Sequence, residues 1–257
     1  MVSIIKYCNV FLSLLKLAEE DLFPKFPITR RVQYAVEAYK KHFKLDLIPG
    51  PVGSMGQVFF AKDNPDVIIK FTTDTAEAKN MLLVYKIQNN EFIPDGMSSK
   101  EISLIKNGVI KIYNVFAFAF GRGKINIIEQ ERGQDLPYSL STKLMEIIGG
   151  NISKQPDAIF NIIQKNLSDS NKIQELSDIL AQHLIDKGKI TINQSADVNV
   201  GDLGNLLKAV RSKIDSSFRD FRPSNMLVVR DGNKYKIKLI DLGYGSGANI
   251  QIPTISI

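Results

Sequence analysis

The chain has 257 residues, of which 44% are hydrophobic and 23% charged, and its 33 lysines and arginines against 27 aspartates and glutamates give a formal net charge of +6. This balance is typical of a globular protein with a sizeable core, and it excludes disordered and fibrous classes. With one cysteine and two histidines, the sequence also excludes an internal disulfide framework and a cysteine- or histidine-rich metal site.

Residues 1–46 are predicted to be helical, and Pro24 and Pro27 divide them into two helices, the second from about 29 to 43. The first helix is amphipathic, and its apolar stretch is too short and too polar for a membrane span or a signal peptide. We therefore expect no membrane span and a helix that packs on the domain. A helix that binds a membrane surface or a partner is the alternative.

Strands and helices alternate in the next part of the chain. Short β-rich runs are predicted at 58–60 and 67–69, on either side of a turn. Apolar residues predict a helix over 75–88, and strand-like runs follow at 109–120 and 125–128.

The second half begins with helices and ends with a hairpin. Helices are predicted to dominate from 139 to 217, and the strands 226–229 and 235–240 turn at Asp231-Gly232-Asn233. This order predicts an α+β fold with a β-rich lobe and a helical lobe.

Basic residues cluster in the hairpin, at Arg230, Lys234, Lys236 and Lys238. No aromatic residues interleave with them as a nucleic-acid stacking surface would require. We expect a solvated strand face and no nucleic-acid partner.

A glycine loop and a strand lysine are the first candidates for chemistry. Gly53 and Gly56 lie close together between strands, where glycines can bring backbone N–H groups close to phosphates, although many hairpins share this pattern. Lys70 ends an apolar strand, and a buried ammonium there would need partners. A phosphate and Glu77 would serve, and a solvated edge-strand lysine is the alternative.

The polar residues around the hairpin form the second candidate set. Asp220 and Asn225 flank a short loop that leads into it, and Asp241 ends its second strand. The hairpin can bring Asn225 and Asp241 together, and two such oxygen ligands with nucleotide phosphates suit Mg²⁺. Asp220 could accept a hydroxyl proton, and Arg222 could offer positive charge to a phosphoryl group. A polar turn capping the hairpin is the alternative.

Together these segments resemble the protein kinase superfamily over residues 47 to 245. Five segments carry the resemblance, in the family's order: the glycine loop 51–58, the strand lysine motif 67–70, the hinge 127–136, the catalytic loop 218–225 and the Asp-Leu-Gly motif 241–243.

The resemblance implies a bilobal kinase-like fold, with a helical extension at 1–46, a small β-rich N-lobe at 47–132 and a reduced helical C-lobe at 133–257. It implies ATP and Mg²⁺ as cofactors and a nucleotide site formed by Gly53, Ser54, Gly56, Val58, Lys70, Glu77 and Glu129. Its implied catalytic and metal-binding residues are Asp220 as base, Arg222 and Lys70 as further catalytic groups, and Asn225 and Asp241 as metal ligands.

The sequence departs from the family pattern at several points. Pro51 replaces the first loop glycine, Phe218 replaces the catalytic-loop histidine, and 14 residues follow Gly243. We therefore expect the usual peptide-docking half of the helical lobe to be missing. This truncation resembles minimal effector kinases that bacterial pathogens inject, which implies a cytoplasmic protein or one secreted into a host cell.

The glycine run after Asp241 also mimics a dinucleotide fingerprint at Gly243, Gly245 and Gly247. No strand–turn–helix unit can follow it, so this interpretation fails.

The leading function is ATP- and Mg²⁺-dependent phosphoryl transfer to a serine or threonine hydroxyl of a folded protein, for example a host protein. That protein would dock on the helices of 1–46 or on the block 139–200. Two alternatives remain. One is a small-molecule phosphotransferase of the aminoglycoside or choline type, and the other is a catalytically silent pseudokinase that serves as a binding module.

Overall fold

The computed structural model describes residues 28–120, 123–148, 156–218, 221–243 and 245–256. The amphipathic helix predicted before Pro24 lies outside the described residues, and so does Asp220.

The first half of the described chain forms a β-rich lobe. Its elements are α1 (Ile28–Phe43), β1 (Leu47–Val52), β2 (Gly56–Ala61), β3 (Asn64–Thr72), α2 (Thr75–Gln88), α3 (Ser99–Gly108), β4 (Ile112–Phe120) and β5 (Gly123–Glu131).

The second half is mainly helical and contains a hairpin. Its elements are β6 (Gln134–Asp135), α4 (Tyr138–Ile148), α5 (Pro156–Leu167), α6 (Ser170–Asp186), a 3₁₀ helix (Ile192–Asp197), β7 (Val198–Asn199), α7 (Leu203–Lys213), a 3₁₀ turn (Pro223–Asn225), β8 (Met226–Asp231), β9 (Lys234–Leu239) and β10 (Thr254–Ser256).

The strands form two sheets. The larger has the order β1-β2-β3-β5-β4-β10 and is antiparallel except that β10 pairs parallel to β4. The smaller has the order β6-β8-β9-β7, built on the hairpin of β8 and β9. The last strand thus returns from the helical half to the edge of the first sheet.

Both faces of the larger sheet are covered. Helix α1 buries Val32, Ala35, Val36 and Tyr39, which recur at helical spacing, against aromatic residues of the sheet such as Phe71. On the opposite face, α2 packs on β4 and β5 and joins a core that continues into the helical half. Helix α1 is therefore part of the core.

The fold is α+β, as predicted, with a β-rich lobe followed by a mainly helical lobe. The division at 46 and 132 stays a prediction. Among the described residues, no helix is long and apolar enough to cross a membrane.

One residue of the basic hairpin differs from the expected solvated strand face. Lys238 is buried, and its ammonium donates to Glu131 Oε2 at 2.9 Å. The reason is register, because Lys238 lies opposite Leu227 on the inner part of the small sheet. Its charge therefore joins the hairpin to the end of β5.

Candidate active site

The position of Lys70 is set by strand register. In β3 it lies opposite Val58 of β2 and Ile128 of β5, and directly opposed residues share a face of a sheet. Lys70 therefore projects from the face that carries α2, between the glycine loop and β5.

Lys70 lies between two carboxylates. Its ammonium donates to Glu77 and, at 2.9 Å, to Asp241 Oδ2. The Glu77 side chain is only 2% exposed and that of Lys70 only 17%, so this is a largely dry site. The Lys70–Glu77 ion pair expected from the sequence is confirmed, and the solvated edge-strand alternative is wrong.

A helix cap places Glu77 for this contact. Asp74 is the N-cap of α2, and its Oδ1 accepts from the backbone N–H groups of Ala76 at 2.8 Å and Glu77 at 3.0 Å. The cap starts the helix directly after β3. Glu77 therefore falls in the first helical turn, within reach of Lys70.

Burial and charge act against each other in this pair. Burial alone would lower the pKa of Lys70, but the carboxylates of Glu77 and Asp241 raise it above its ordinary value. Burial raises the pKa of Glu77 to about 7, although Lys70 acts to lower it. The two carboxylates therefore favour the charged form of Lys70 at the centre of the site.

The hairpin brings the two predicted metal ligands to one end, as expected. The Ile240 N–H donates to the Asn225 carbonyl at 2.8 Å, and Asp241 follows directly. Asp241 has φ of 55°, a left-handed conformation that is uncommon outside glycine and that clusters at functional sites. The ion pair with Lys70, at 2.9 Å, holds this carboxylate in place.

The sequence predicts that these two residues bind a magnesium ion together with phosphates. Mg²⁺ commonly takes one or two protein oxygen ligands and completes its shell with phosphate and water. In the part of the chain that the structure describes, no group of three or more histidine, cysteine or acidic side chains could hold a metal by itself. A site shared by Asn225, Asp241 and phosphates stays a prediction.

The glycine loop is a tight turn fixed to β3. Gly53 N–H donates to the Gly56 carbonyl at 2.8 Å, and the Met55 carbonyl accepts from Thr73 N–H at 2.8 Å. A Cβ on Gly56 would overlap the Phe71 carbonyl, so close packing already requires this glycine. Gly53 and Ser54 are exposed at the tip, where a phosphate could approach.

Glu129 does not reach this face with its side chain. Alternate residues of a strand point to opposite faces, and Glu129 lies next to Ile128 in β5. Its carboxylate accepts from the Tyr39 hydroxyl at 2.7 Å on the α1 side. The predicted contact of Glu129 with a nucleotide stays a prediction.

Arg222 is exposed beside the hairpin, at the edge of a cavity of about 710 Å³. Helix α4 forms the other wall with Tyr138 and Thr142, and Asp135 and Ser224 also line the cavity. This cavity adjoins the catalytic-loop segment. The geometry of Asp220, the predicted base, lies outside the described residues.

The sequence analysis missed two polar residues behind the site, Asn80 and Asp215. Both are buried, and Asn80 donates to Asp215 Oδ2 at 3.0 Å. The available signal was an asparagine within the apolar part of α2, three residues after Glu77.

Comparisons with known proteins give little beyond this geometry. No protein-family model matches the sequence, and a search of curated proteins finds no match. Among the solved structures that match is the streptomycin–ATP–APH(2")-IIa ternary complex, 14% identical, with 82% of this chain and 70% of that chain covered at a TM-score of 0.31. At that TM-score the similarity supports no statement about function.

Proposed function

We propose that this chain is an ATP- and Mg²⁺-dependent phosphotransferase. One observation carries the proposal: Lys70 lies between Glu77 and Asp241, at the end of the hairpin that also holds Asn225. Buried ion networks can be purely structural, but the strained backbone at Asp241 favours a functional site.

Each residue has a distinct role in the proposed site. Lys70 binds the nucleotide phosphates, and Glu77 fixes the ammonium in position. Asn225 and Asp241 would hold Mg²⁺, which neutralises charge on the phosphates when bound.

Two residues act on the reacting groups. Asp220 accepts the proton of the acceptor hydroxyl, and Arg222 stabilises negative charge on the transferring phosphoryl group. Both roles rest on the sequence motif. The exposed position of Arg222 beside a cavity is compatible with contact to a bound acceptor.

We propose a serine or threonine hydroxyl of a folded protein as the acceptor. Helix α1 is already committed to the core, so the helical block 139–200 becomes the better docking surface. Next to it, Tyr138 is 88% exposed at the cavity that Arg222 lines. Exposed tyrosines often anchor protein interfaces.

A small-molecule acceptor is the second candidate. The cavity of about 710 Å³ is within the usual size of small-molecule pockets, about 300–1,000 Å³. Hydroxyl groups, one carboxylate and one guanidinium line it together with apolar residues such as Leu136 and Met226, so it would suit a ligand with both polar and apolar parts.

The decisive experiment separates nucleotide binding from transfer. Calorimetry with Mg²⁺ and ATP should show binding to the wild type and to Asp220→Asn, whereas only the wild type should transfer phosphate. Asp241→Ala should lose at least about 10²-fold in rate, as removal of a main electrostatic group does. The matched control is Asp231→Ala, at the turn of the same hairpin.

The outcomes distinguish the candidate functions. Near-normal turnover in Asp241→Ala would rule out the assignment of this site. Labelled ATP offered to lysate proteins and to aminoglycosides would identify the acceptor class. ATP binding without transfer to protein, small molecule or water would indicate the pseudokinase alternative.

A further inference from the structure

A buried hydrogen-bond network lies one helical turn beyond Glu77. Asn80 is 0% exposed, and its amide nitrogen donates to Asp215 Oδ2 at 3.0 Å and to the Leu242 carbonyl at 2.6 Å. Its Oδ1 accepts from the Ala248 N–H at 2.7 Å. One side chain of α2 therefore binds three separate segments of the chain.

Asp215 completes this network from the loop after α7. Its carboxylate accepts from the backbone N–H groups of Ser217 and Gly247, both at 2.9 Å, and from the Ser217 hydroxyl at 2.5 Å. Burial would raise its pKa, but these hydrogen bonds and that from Asn80 hold the pKa below its ordinary value. Asp215 is therefore a charged, fully hydrogen-bonded anchor.

The glycines that mimic a dinucleotide fingerprint are explained by this packing. A Cβ on Gly245 would overlap the Asp215 carboxylate. Gly247 has φ of 76°, and a Cβ there would lie 2.9 Å from Ala76 Cα. We call residues 245–248 the brace, because this segment lies directly against the first turn of α2 and against Asp215.

We propose that Asn80 and Asp215 are positioning residues for the phosphotransfer site. Asn80 shares α2 with Glu77, and it binds the carbonyl of the residue after Asp241. The network thus fixes both carboxylates that pair with Lys70. This inference rests on the proposed function, since it states how that site keeps its geometry.

The size of the effect follows from the precision that such a site needs. A displacement of about 1 Å in a positioned group can lower a rate by about 10²-fold. The brace and the Asn80 contacts resist such a displacement between α2 and the hairpin. Neither residue touches the proposed reacting atoms, so both act through Lys70 and its partners.

The test compares two variants of α2, Asn80→Ala and Gln88→Ala, each of which replaces an amide side chain by alanine. Asn80→Ala removes the contacts of α2 to Asp215 and the brace. Gln88→Ala is the matched control: Gln88 ends α2, donates to the Ile110 carbonyl at 3.0 Å and accepts from Ile112 N–H at 2.9 Å. ADP release with Mg²⁺ gives kcat and the KM for ATP, and thermal unfolding gives Tm.

We expect both variants to lower Tm, but only Asn80→Ala to lower kcat, by about 10²-fold with a small change in KM. An equal loss of kcat in the two variants would overturn the proposal. Rescue supplies a second criterion. Asn80→Asp alone places two carboxylates next to each other at the contact with Asp215. Adding Asp215→Asn restores one donor and one acceptor there, so part of the lost kcat should return.

Two further measurements cover the remaining outcomes. If Asn80→Ala does not fold, Ser217→Ala removes the hydroxyl that donates to Asp215 and accepts from the Ser246 N–H at 2.8 Å, and it should lower kcat about threefold to tenfold. Unchanged kcat in that variant would count against the proposal.

Hydrogen exchange of amides 76–80 in the intact chain needs no activity. It should accelerate in Asn80→Ala and not in Gln88→Ala, and unchanged exchange would overturn the inference. If the wild type does not turn over ATP, the proposed function is refuted. The exchange measurement still decides separately whether the network holds α2 in position.

Discussion

The two faces of the larger sheet bury polar groups in different ways. On the α1 face, aromatic rings pack around Tyr39, whose hydroxyl donates to Glu129. On the α2 face, Lys70 lies between the carboxylates of Glu77 and Asp241.

The comparison shows how packing and chemistry can share one sheet. A neutral hydroxyl donates to Glu129, and burial raises the pKa of this carboxyl group, which in the described part of the chain has no cation beside it like that of Glu77. Two carboxylates converge on Lys70, and one of them, that of Asp241, belongs to a residue with positive φ. Changes on the α1 face should therefore alter stability and spare turnover, whereas removal of the Lys70 charge should lower turnover and leave the protein folded.

The largest expected effect is on the α1 face, in Phe118→Ala. Phe118 is fully buried, and its ring contacts Tyr39, His42 and Phe116. Truncation should lower the free energy of unfolding by about 3–5 kcal/mol, because it leaves a cavity. Urea unfolding measures the loss. The exposed-ring control Phe92→Ala should change it by less than about 0.5 kcal/mol.

Next is Lys70→Met on the α2 face, which keeps an apolar stem and removes the charge. Turnover should fall by at least about 10²–10³-fold, through loss of a main electrostatic group. The protein should stay folded, because Glu77, with its pKa raised to about 7, can take up a proton.

ADP release and circular dichroism check both halves of the Lys70 prediction. The control Lys62→Met changes an exposed lysine that lies near Asp46. Wild-type turnover in Lys70→Met would mean that the ion network is structural only, and the contrast between the faces would fail.

A smaller change tests the polar contact of the α1 face. Tyr39→Phe removes only the hydroxyl that donates to Glu129 at 2.7 Å. The free energy of unfolding should fall by about 1–3 kcal/mol, because a buried acceptor loses a partner. Tyr138→Phe, on an exposed tyrosine, should change it little. A large loss of kcat in folded Tyr39→Phe would contradict the proposed separation of the two faces.

The smallest effect is a pH dependence of stability. Burial raises the pKa of Glu129, against the lowering effect of hydrogen bonds from Tyr39 and Asn114. The folded protein thus keeps a proton that the unfolded chain has lost. The Glu129 contribution to the free energy of unfolding must therefore fall as pH rises from the ordinary glutamate pKa of 4.5 to the raised value.

Urea unfolding at several pH values would measure this slope. Glu129→Gln should remove the contribution, since a glutamine does not titrate. In Tyr39→Phe, the free energy of unfolding should go on falling to a higher pH, because one of the two hydrogen bonds that lower the pKa of Glu129 is gone. A slope unchanged in Glu129→Gln would assign the pH dependence to another group.

Local patterns explain what the sequence could predict. Helix α2 has the predicted bounds, Thr75–Gln88, because its apolar residues start directly after a good N-cap, Asp74. The hairpin of β8 and β9 follows from its Asp-Gly-Asn turn. These short-range signals suffice to bring Lys70 and Glu77 together.

Helix α3 was missed although its signal is local. Ser98 and Glu101 form a capping box, a sequence pattern that marks a helix start. The helix that follows has few buried residues, so hydrophobic periodicity alone does not show it.

Other features depend on contacts that no local pattern contains. Lys238 donates to Glu131, which is 107 residues away in the sequence, and Asn80 donates to Asp215, which is 135 residues away. In another fold, the same lysine and the same asparagine would both be ordinary surface residues. Their burial follows from how the hairpin and α2 pack, which composition and spacing do not specify.

The parallel pairing of β10 with β4 has a consequence for folding. Strand β4 reads IYNVFAFAF and contains no charged residue, so its free edge is suited to pairing with other chains. The strand that covers this edge includes Thr254, opposite Ala117, and a ribosome synthesises it only after the whole helical half. Until then, the nascent chain presents an uncharged, aromatic edge. A molecular chaperone that shields β4 during synthesis would raise the yield of native protein.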